Sequence, residues 1–152
     1  DRGIDNFKYY LIGGGDDSAL RNLSIELGIT DKVVFIGKVS HEKVFELLDD
    51  IDIYVHPSLQ EGLPRSVVEA MSRALPCIGA KTGAIPELID SKFIVKRKSA
   101  HDIAEKLLLI TDPATMKNEA VRNFSTAKNF ECTYLDNLRN NFYKSIAEDF
   151  KR

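Results

Sequence analysis

The stretch IDIYVHPSLQEGLPRSVVEAMSRALPCIGA, residues 51–80, decides the fold. It opens on an apolar run, IDIYVHPS (51–58), that reads as a strand halted by Pro57. Residues 59–64 read as a loop. RSVVEAMSRAL (65–75) reads as a helix, and PCIGA (76–80) as the next strand. Two strands joined by one helix imply parallel pairing through a right-handed crossover.

The same alternation continues on both sides. Upstream, FKYYLIGGG (7–15) reads as a strand running into a glycine turn, and DDSALRNLSIELGI (16–29) as a helix. Asp16 or Asp17 can cap that helix, Leu20, Leu23 and Leu27 share one face, and Gly28 stops it. KVVFIG (32–37) is a second strand. SHEKVFELLDD (40–50) is a second helix with Ser40 as N-cap. Downstream, IPELI (85–89) makes one helical turn and KFIVK (92–96) a fifth strand. Helices follow over 99–111, 114–127 and 132–150. In the last, Tyr134, Leu138, Phe142 and Ile146 keep helical spacing and predict a core-facing stripe.

The strands are nearly continuous apolar runs, as expected where helices cover both sheet faces. The expected fold class is therefore α/β: a Rossmann-like parallel sheet flanked by helices, forming one domain over 1–152 with 132–150 as its C-terminal helix. DRGIDN at the start carries no strand, so the first βα unit is expected to lie upstream.

Composition narrows the function. The chain has 152 residues and a formal net charge of -2, which argues against a dedicated nucleic-acid binder. KRK at 96–98 reads as a solvated charge run. Cys77 and Cys132 fall in no metal-ligand spacing, and Cys77 reads as a small buried hydrophobe. Without a disulfide framework the reducing cytoplasm is the expected compartment. No apolar run approaches the ~20 residues that span a bilayer.

The chemistry concentrates in EGLPRSVVEAM, residues 61–71. In an open parallel sheet, ligands bind beyond the carboxyl ends of the strands. The loop before this helix lies at that end. First-turn N–H groups lack intrahelical partners and sit at the positive end of the helix dipole. Gly62 lets a ligand approach the backbone. Arg65 supplies a cation and Ser66 a hydroxyl, so the helix start can seat a phosphate. Glu61 and Glu69 would repel phosphate, but a carboxylate can accept two hydrogen bonds from a vicinal diol. Glu69 lies about 6 Å into the helix at ~1.5 Å per residue. One acid on each side of a diphosphate suits a nucleotide sugar. The plainer reading stays beside it: Glu69 as an acid favoured near a helix start and Glu61 as a solvated loop acid. His56 reads as a structural or substrate-lining residue, His41 and His101 as surface residues. Gly13, Gly14 and Gly15 read as a tight turn, and Thr82 and Gly83 as a turn rimming the site.

The segment PSLQEGLPRSVVEAMSRALPCIGAKTGAIPELI (57–89) resembles the signature of the retaining GT-B glycosyltransferases of family 4, the glycosyltransferase group 1 type. That family carries Glu-x7-Glu within a segment of the form P-S-x-x-E-G-x-x-x-x-x-x-E-A-M-A-x-G-x-P-V-I, then a Gly-rich turn and P-E-L/V-I. Pro57, Ser58, Glu61, Gly62, Glu69, Ala70, Met71, Pro76, Ile78, Gly83, Pro86 and Glu87 match. YYLIGGGDD and ITDKVVFIGKVSHEKVFELLDDIDIYVHPS resemble the family's upstream segments, so the likeness covers about 7–110.

The resemblance implies the C-terminal, donor-binding half of a GT-B enzyme, whose N-terminal half binds the acceptor. Glu69 would hold the ribose hydroxyls. Glu61, the catalytic candidate, would position hydroxyls of the transferred sugar. The backbone of Gly62, Leu63, Pro64, Arg65 and Ser66 would face the diphosphate. Gly37 and Lys38 would lie near the base and Gly14 near the donor. The resemblance further implies a nucleotide diphosphate sugar such as a UDP-sugar as substrate, no cofactor and no required metal. It implies a glycan or lipid-linked acceptor, as in polysaccharide biosynthesis, and peripheral membrane association of the full protein. Many members read E-G-F-G-L-P where this chain has Glu61-Gly62-Leu63-Pro64, which leaves open which amides face the phosphates. The family's diphosphate-neutralising Arg and Lys lie upstream, so this stretch alone is expected to be inactive. The alternatives are a nucleotide-sugar binding module without transfer activity and a receiver-like interaction domain.

Overall fold

A computed structural model describes residues 6–150; the reading of the opening residues 1–5 falls outside them. The chain forms two compact units, Asp1–Leu47 and Leu48–Arg152. No helix of the described residues is long and apolar enough to cross a membrane.

In the first unit, β1 (Tyr9–Ile12) pairs in parallel with β2 (Val33–Gly37). Between them come α1 (Ser18–Glu26) and a 3-10 turn at Thr30–Lys32, and α2 (His41–Asp49) follows. Asp17 is the N-cap residue of α1, but its side chain makes no cap bond. It instead takes a bidentate pair from Arg21 at 2.9 and 2.8 Å. Asp16 serves the helix entry, its Oδ1 accepting from the Ser18 N–H at 2.9 Å. Arg21 then lies over the Phe35 ring at 4.2 Å, tying α1 to β2. Gly28 ends the helix with φ +64°. Leu20, Leu23 and Leu27 are exposed. Ser40 caps α2 as expected, accepting from the Lys43 N–H at 3.3 Å.

The second unit is a three-stranded parallel sheet in the order β3 (Tyr54–His56), β4 (Cys77–Ala80), β5 (Ile94–Val95). Around it come α3 (Arg65–Ser72), the single turn α4 (Ile85–Leu88), α5 (Ala100–Ile110), α6 (Pro113–Ala127) and α7 (Cys132–Asp149). Every residue of β4 is buried. Its neighbours Val67, Ala70, Met71, Ile85 and Phe93 are fully buried too. Burial of such apolar surface is favourable at about 25 cal/mol per Å². Cys77 is buried and donates its thiol to the Leu75 carbonyl at 3.3 Å, the small-hydrophobe role expected of it.

The outer strands are shorter than the apolar runs suggest, for local reasons. The β3–β4 register starts at Tyr54 and Cys77, because Pro76 before it has no N–H to extend the ladder. Asp90 accepts from the Lys92 N–H at 2.8 Å and draws Ser91–Phe93 into a 3-10 turn, leaving β5 two residues.

Helix α3 ends in a paired-carbonyl turn. Leu75 N–H donates to Ala70 and Ala74 N–H to Met71, and Ala74 has φ +60°. A left-handed residue here is ordinarily glycine, and the family pattern has glycine at this position. The Leu75 carbonyl beyond the turn is closed by buried Asn123 of α6 at 2.8 Å.

One expectation is overturned. The stripe of Tyr134, Leu138 and Phe142 does not face a core: all three are exposed, and α7 holds no buried residue. Helical spacing fixes which residues share a face, not what covers it. Among the described residues the main neighbour of α7 is the 3-10 turn Lys128–Phe130 leading into it.

Candidate functional site

The site is built where β3 ends and α3 begins. Tyr54 and His56 alternate with Val55 along β3, so their side chains share one face. Their rings stack with centroids 5.9 Å apart and planes 16° off parallel. Tyr54 Oη lies 3.3 Å from His56 Nδ1. Pro57 then turns the chain, and the loop folds back until Glu61 Oε1 lies 2.8 Å from His56 Nε2. The hydrogen bond from His56 is the main cause holding the Glu61 carboxyl below the usual carboxylate range, with Ser58 second.

The loop backbone is held from the other side by the turn after β4. Ala84 N–H donates to the Gly62 carbonyl at 2.9 Å and the Thr82 hydroxyl to Leu59 at 3.4 Å. Gly83 has φ +49°, and a Cβ there would stand 2.5 Å from the Glu61 carbonyl oxygen and 2.6 Å from that of Gly62. Only glycine permits this approach. The rimming turn anticipated at Thr82 and Gly83 is therefore a backbone clamp on Glu61 and Gly62.

Pro64 occupies the N-cap of α3 and makes no side-chain cap bond. Val67 N–H turns back to the Pro64 carbonyl at 3.1 Å, and the amides of Arg65 and Ser66 are the first-turn donors that no side-chain cap takes up. Arg65 and Leu63 are exposed, Ser66 and Glu69 half-buried. Tyr54 is half-buried on β3. Burial raises its phenol pKa, a hydrogen bond with Ser66 opposes this, and the carboxylates of Glu69 and Glu61 add smaller upward pushes. Gly62 faces open space, with no atom within 4 Å of a Cβ placed there.

The second unit thus gathers Glu61, Gly62, Leu63, Pro64, Arg65, Ser66 and Glu69 at one strand-to-helix junction. Gly14, Gly37 and Lys38 are gathered in the first unit. There Gly13 N–H donates to the Gly37 carbonyl at 2.9 Å, and a Cβ on Gly14 would meet Lys38 Cβ at 3.7 Å. His41 and His101 are exposed, and so are Lys96, Arg97 and Lys98. A cleft beside the loop, between Pro57, Leu59, Ala80, Lys96 and Ser99, contains none of the expected donor residues.

Two functional features escaped the sequence reading: the His56–Glu61 bond and the clamp by Gly83. The first had a signal in the turn-forming spacing His-Pro-Ser-x-x-Glu. The second had none beyond a glycine in a loop.

Comparison with known proteins places this geometry in context. The family model for glycosyl transferases group 1 matches residues 2–126. The amylovoran biosynthesis glycosyltransferase AmsK of Erwinia amylovora is 33% identical over 115 residues, covering 69% of this chain and 28% of that protein. N-acetyl-alpha-D-glucosaminyl L-malate synthase of Bacillus anthracis is 29% identical over 147 residues, covering 87% of this chain and 38% of that protein. The chain thus spans well under half the length of these curated relatives. Among solved structures, Anabaena HepE in complex with UDP and glucose superposes with a TM-score of 0.82 at 21% identity, over 91% of this chain and 40% of that one. That likeness is one of fold, the C-terminal Rossmann-like half of a GT-B glycosyltransferase.

Proposed function

The chain belongs to the group 1 glycosyl transferases, and on that premise we propose that it is the donor-binding part of a retaining GT-B glycosyltransferase of family 4. The full protein moves a hexose-type sugar from a nucleotide diphosphate sugar to a glycan or lipid-linked acceptor bound by a separate N-terminal domain. One observation carries this reading: two carboxylates, Glu61 and Glu69, flank a helix start whose N-cap, Pro64, supplies no side-chain acceptor.

The roles follow from the chemistry of each group. Glu69 accepts from the ribose hydroxyls and Glu61 from hydroxyls of the transferred sugar, each as a charged acceptor. The amides at the start of α3 and the Arg65 guanidinium meet the diphosphate. When the anomeric C–O bond breaks, its electron pair leaves on the phosphate oxygen. Stabilising charge there lowers the barrier. The acceptor hydroxyl oxygen forms the new glycosidic bond at the anomeric carbon, and its proton passes to the departing diphosphate. Cations supplied outside this stretch complete the neutralisation, so no metal or cofactor is required and the stretch alone is inactive. Gly14, Gly37 and Lys38 serve the donor from the first unit, with Gly37 and Lys38 near the base. The enzyme works in the cytoplasm, with peripheral membrane contact where its acceptor is lipid-linked. A UDP-sugar is the first donor to test, since the structurally similar HepE is recorded with UDP and glucose.

The test is thermal unfolding and turnover of the full protein with UDP-, GDP- and ADP-sugars. A donor at 100 times its Kd should stabilise the native state by ~2.7 kcal/mol. Glu69→Ala should weaken the nucleoside diphosphate itself. Glu61→Ala should leave that binding intact and weaken the sugar-bearing donor. A protein indifferent to all three donor classes refutes the reading.

A further inference from the structure

The Glu61 carboxylate already has an imidazole partner, His56 Nε2, at 2.8 Å. The direction of that bond fixes the bonds behind it. An ionised carboxylate only accepts, so Nε2 of His56 carries the proton. In the neutral ring Nδ1 is then the acceptor. The atom 3.3 Å from Nδ1 is the Tyr54 hydroxyl, which must donate to it. The donors of Tyr54 and His56 therefore both point toward Glu61.

We propose that Tyr54 and His56 are positioning residues for Glu61, a hydroxyl–imidazole–carboxylate series that holds Oε1 in place and presents Oε2 to a hydroxyl of the transferred sugar. This rests on the reading of Glu61 as a sugar contact. The series lies on a rigid support, because His56 is fixed by β3 pairing with Gly79 of β4 and by its stack on Tyr54. The loop that brings Glu61 to it is clamped at its backbone by Gly83 and Ala84. A flexible glutamate would have to be ordered each time donor binds. A glutamate already bonded through one oxygen loses less freedom on binding. The gain falls on the sugar end of the donor alone, since Glu69 and the helix start serve the nucleotide.

The experiment uses the full protein, the most active donor among UDP-glucose, UDP-N-acetylglucosamine and GDP-mannose, and UDP or GDP as the matching sugar-free probe. His56→Leu should raise donor KM at least tenfold while the Kd for the sugar-free probe stays within twofold, which also reports an intact fold. His56→Gln, whose amide places an N–H donor near the Nε2 position, should recover most of that loss. Tyr54→Phe should give an intermediate rise, and nitrogen NMR of the His56 ring should show the Nε2–H tautomer giving way to a mixture. Three results would each overturn the proposal: His56→Leu within twofold of the parent in donor KM, equal weakening of donor and sugar-free probe, or no recovery in His56→Gln. Glu61→Ala separates the layers. If it leaves donor KM unchanged, the sugar-contact reading falls and this inference with it. If it raises donor KM while His56→Leu does not, the series alone falls.

Discussion

Val67, Ala70 and Met71 of α3 are wholly buried, whereas Tyr134, Leu138 and Phe142 of α7 are 45% to 61% exposed. Both sets sit on one face of a helix, and sequence periodicity treats them alike. The difference lies in what stands opposite. Helix α3 has its strongest packing against α6 and also meets β3 and β4, and α7 has its main contact in the turn before it. The helix carrying the motif is thus anchored on its inner face while its N-terminal end opens toward the site. An amphipathic stripe is a statement about a face, and burial is a statement about a neighbour.

That contrast can be broken experimentally, and the two cysteines give the widest gap. Cys132 opens α7 and is exposed, while Cys77 in β4 is buried, which pushes its thiol pKa well above the ordinary range. Thiolate is the reactive form, so peptide mapping after brief native alkylation should find Cys132 modified and Cys77 intact until unfolding. Met71→Ala should cost about 2–5 kcal/mol in chemical denaturation, the range for a buried large-to-small change. Gly83→Ala should act next, at about 1–3 kcal/mol of strain. Its signature should be a rise of tenfold or more in donor KM, because the clash falls on the Glu61 backbone. Ala74→Gly should work in the opposite sense. Relieving a left-handed alanine should stabilise the protein by about 0.5–1 kcal/mol, read as a higher denaturation midpoint. Phe142→Ser should change stability by no more than about 0.5 kcal/mol, as at other exposed positions. A large loss there would show that the α7 face is covered after all.

The alternation of elements was legible because each apolar run is bounded by a residue with one dominant local effect. Ser40 and Ser99 accept from the first turns of α2 and α5, and Gly28 takes a left-handed conformation that ends α1. Parallel pairing within each sheet followed from the lengths of the connections. The lengths of the outer strands were hidden, since they depend on a missing N–H at Pro76 and a side-chain acceptor at Asp90. In the site, the grouping of residues 61–69 was legible from chain adjacency and the helix start. The His56–Glu61 bond needed the loop to fold back on its own strand, and the clamp needed Gly83, 22 positions beyond Glu61, to meet its carbonyl. Contacts of that separation leave no local pattern to read.

The bond from Asn123 to the Leu75 carbonyl has a consequence for the order of events during synthesis. Its partners are 48 residues apart. At a ribosomal rate of ~5–20 residues per second, α3 waits roughly 2–10 s for the side chain that closes its trailing turn. For that interval the motif helix has emerged while its chief packing partner, α6, is still being made. A nascent chain paused between residues 75 and 123 therefore exposes the apolar face of α3, and that window is when a chaperone would have most to protect.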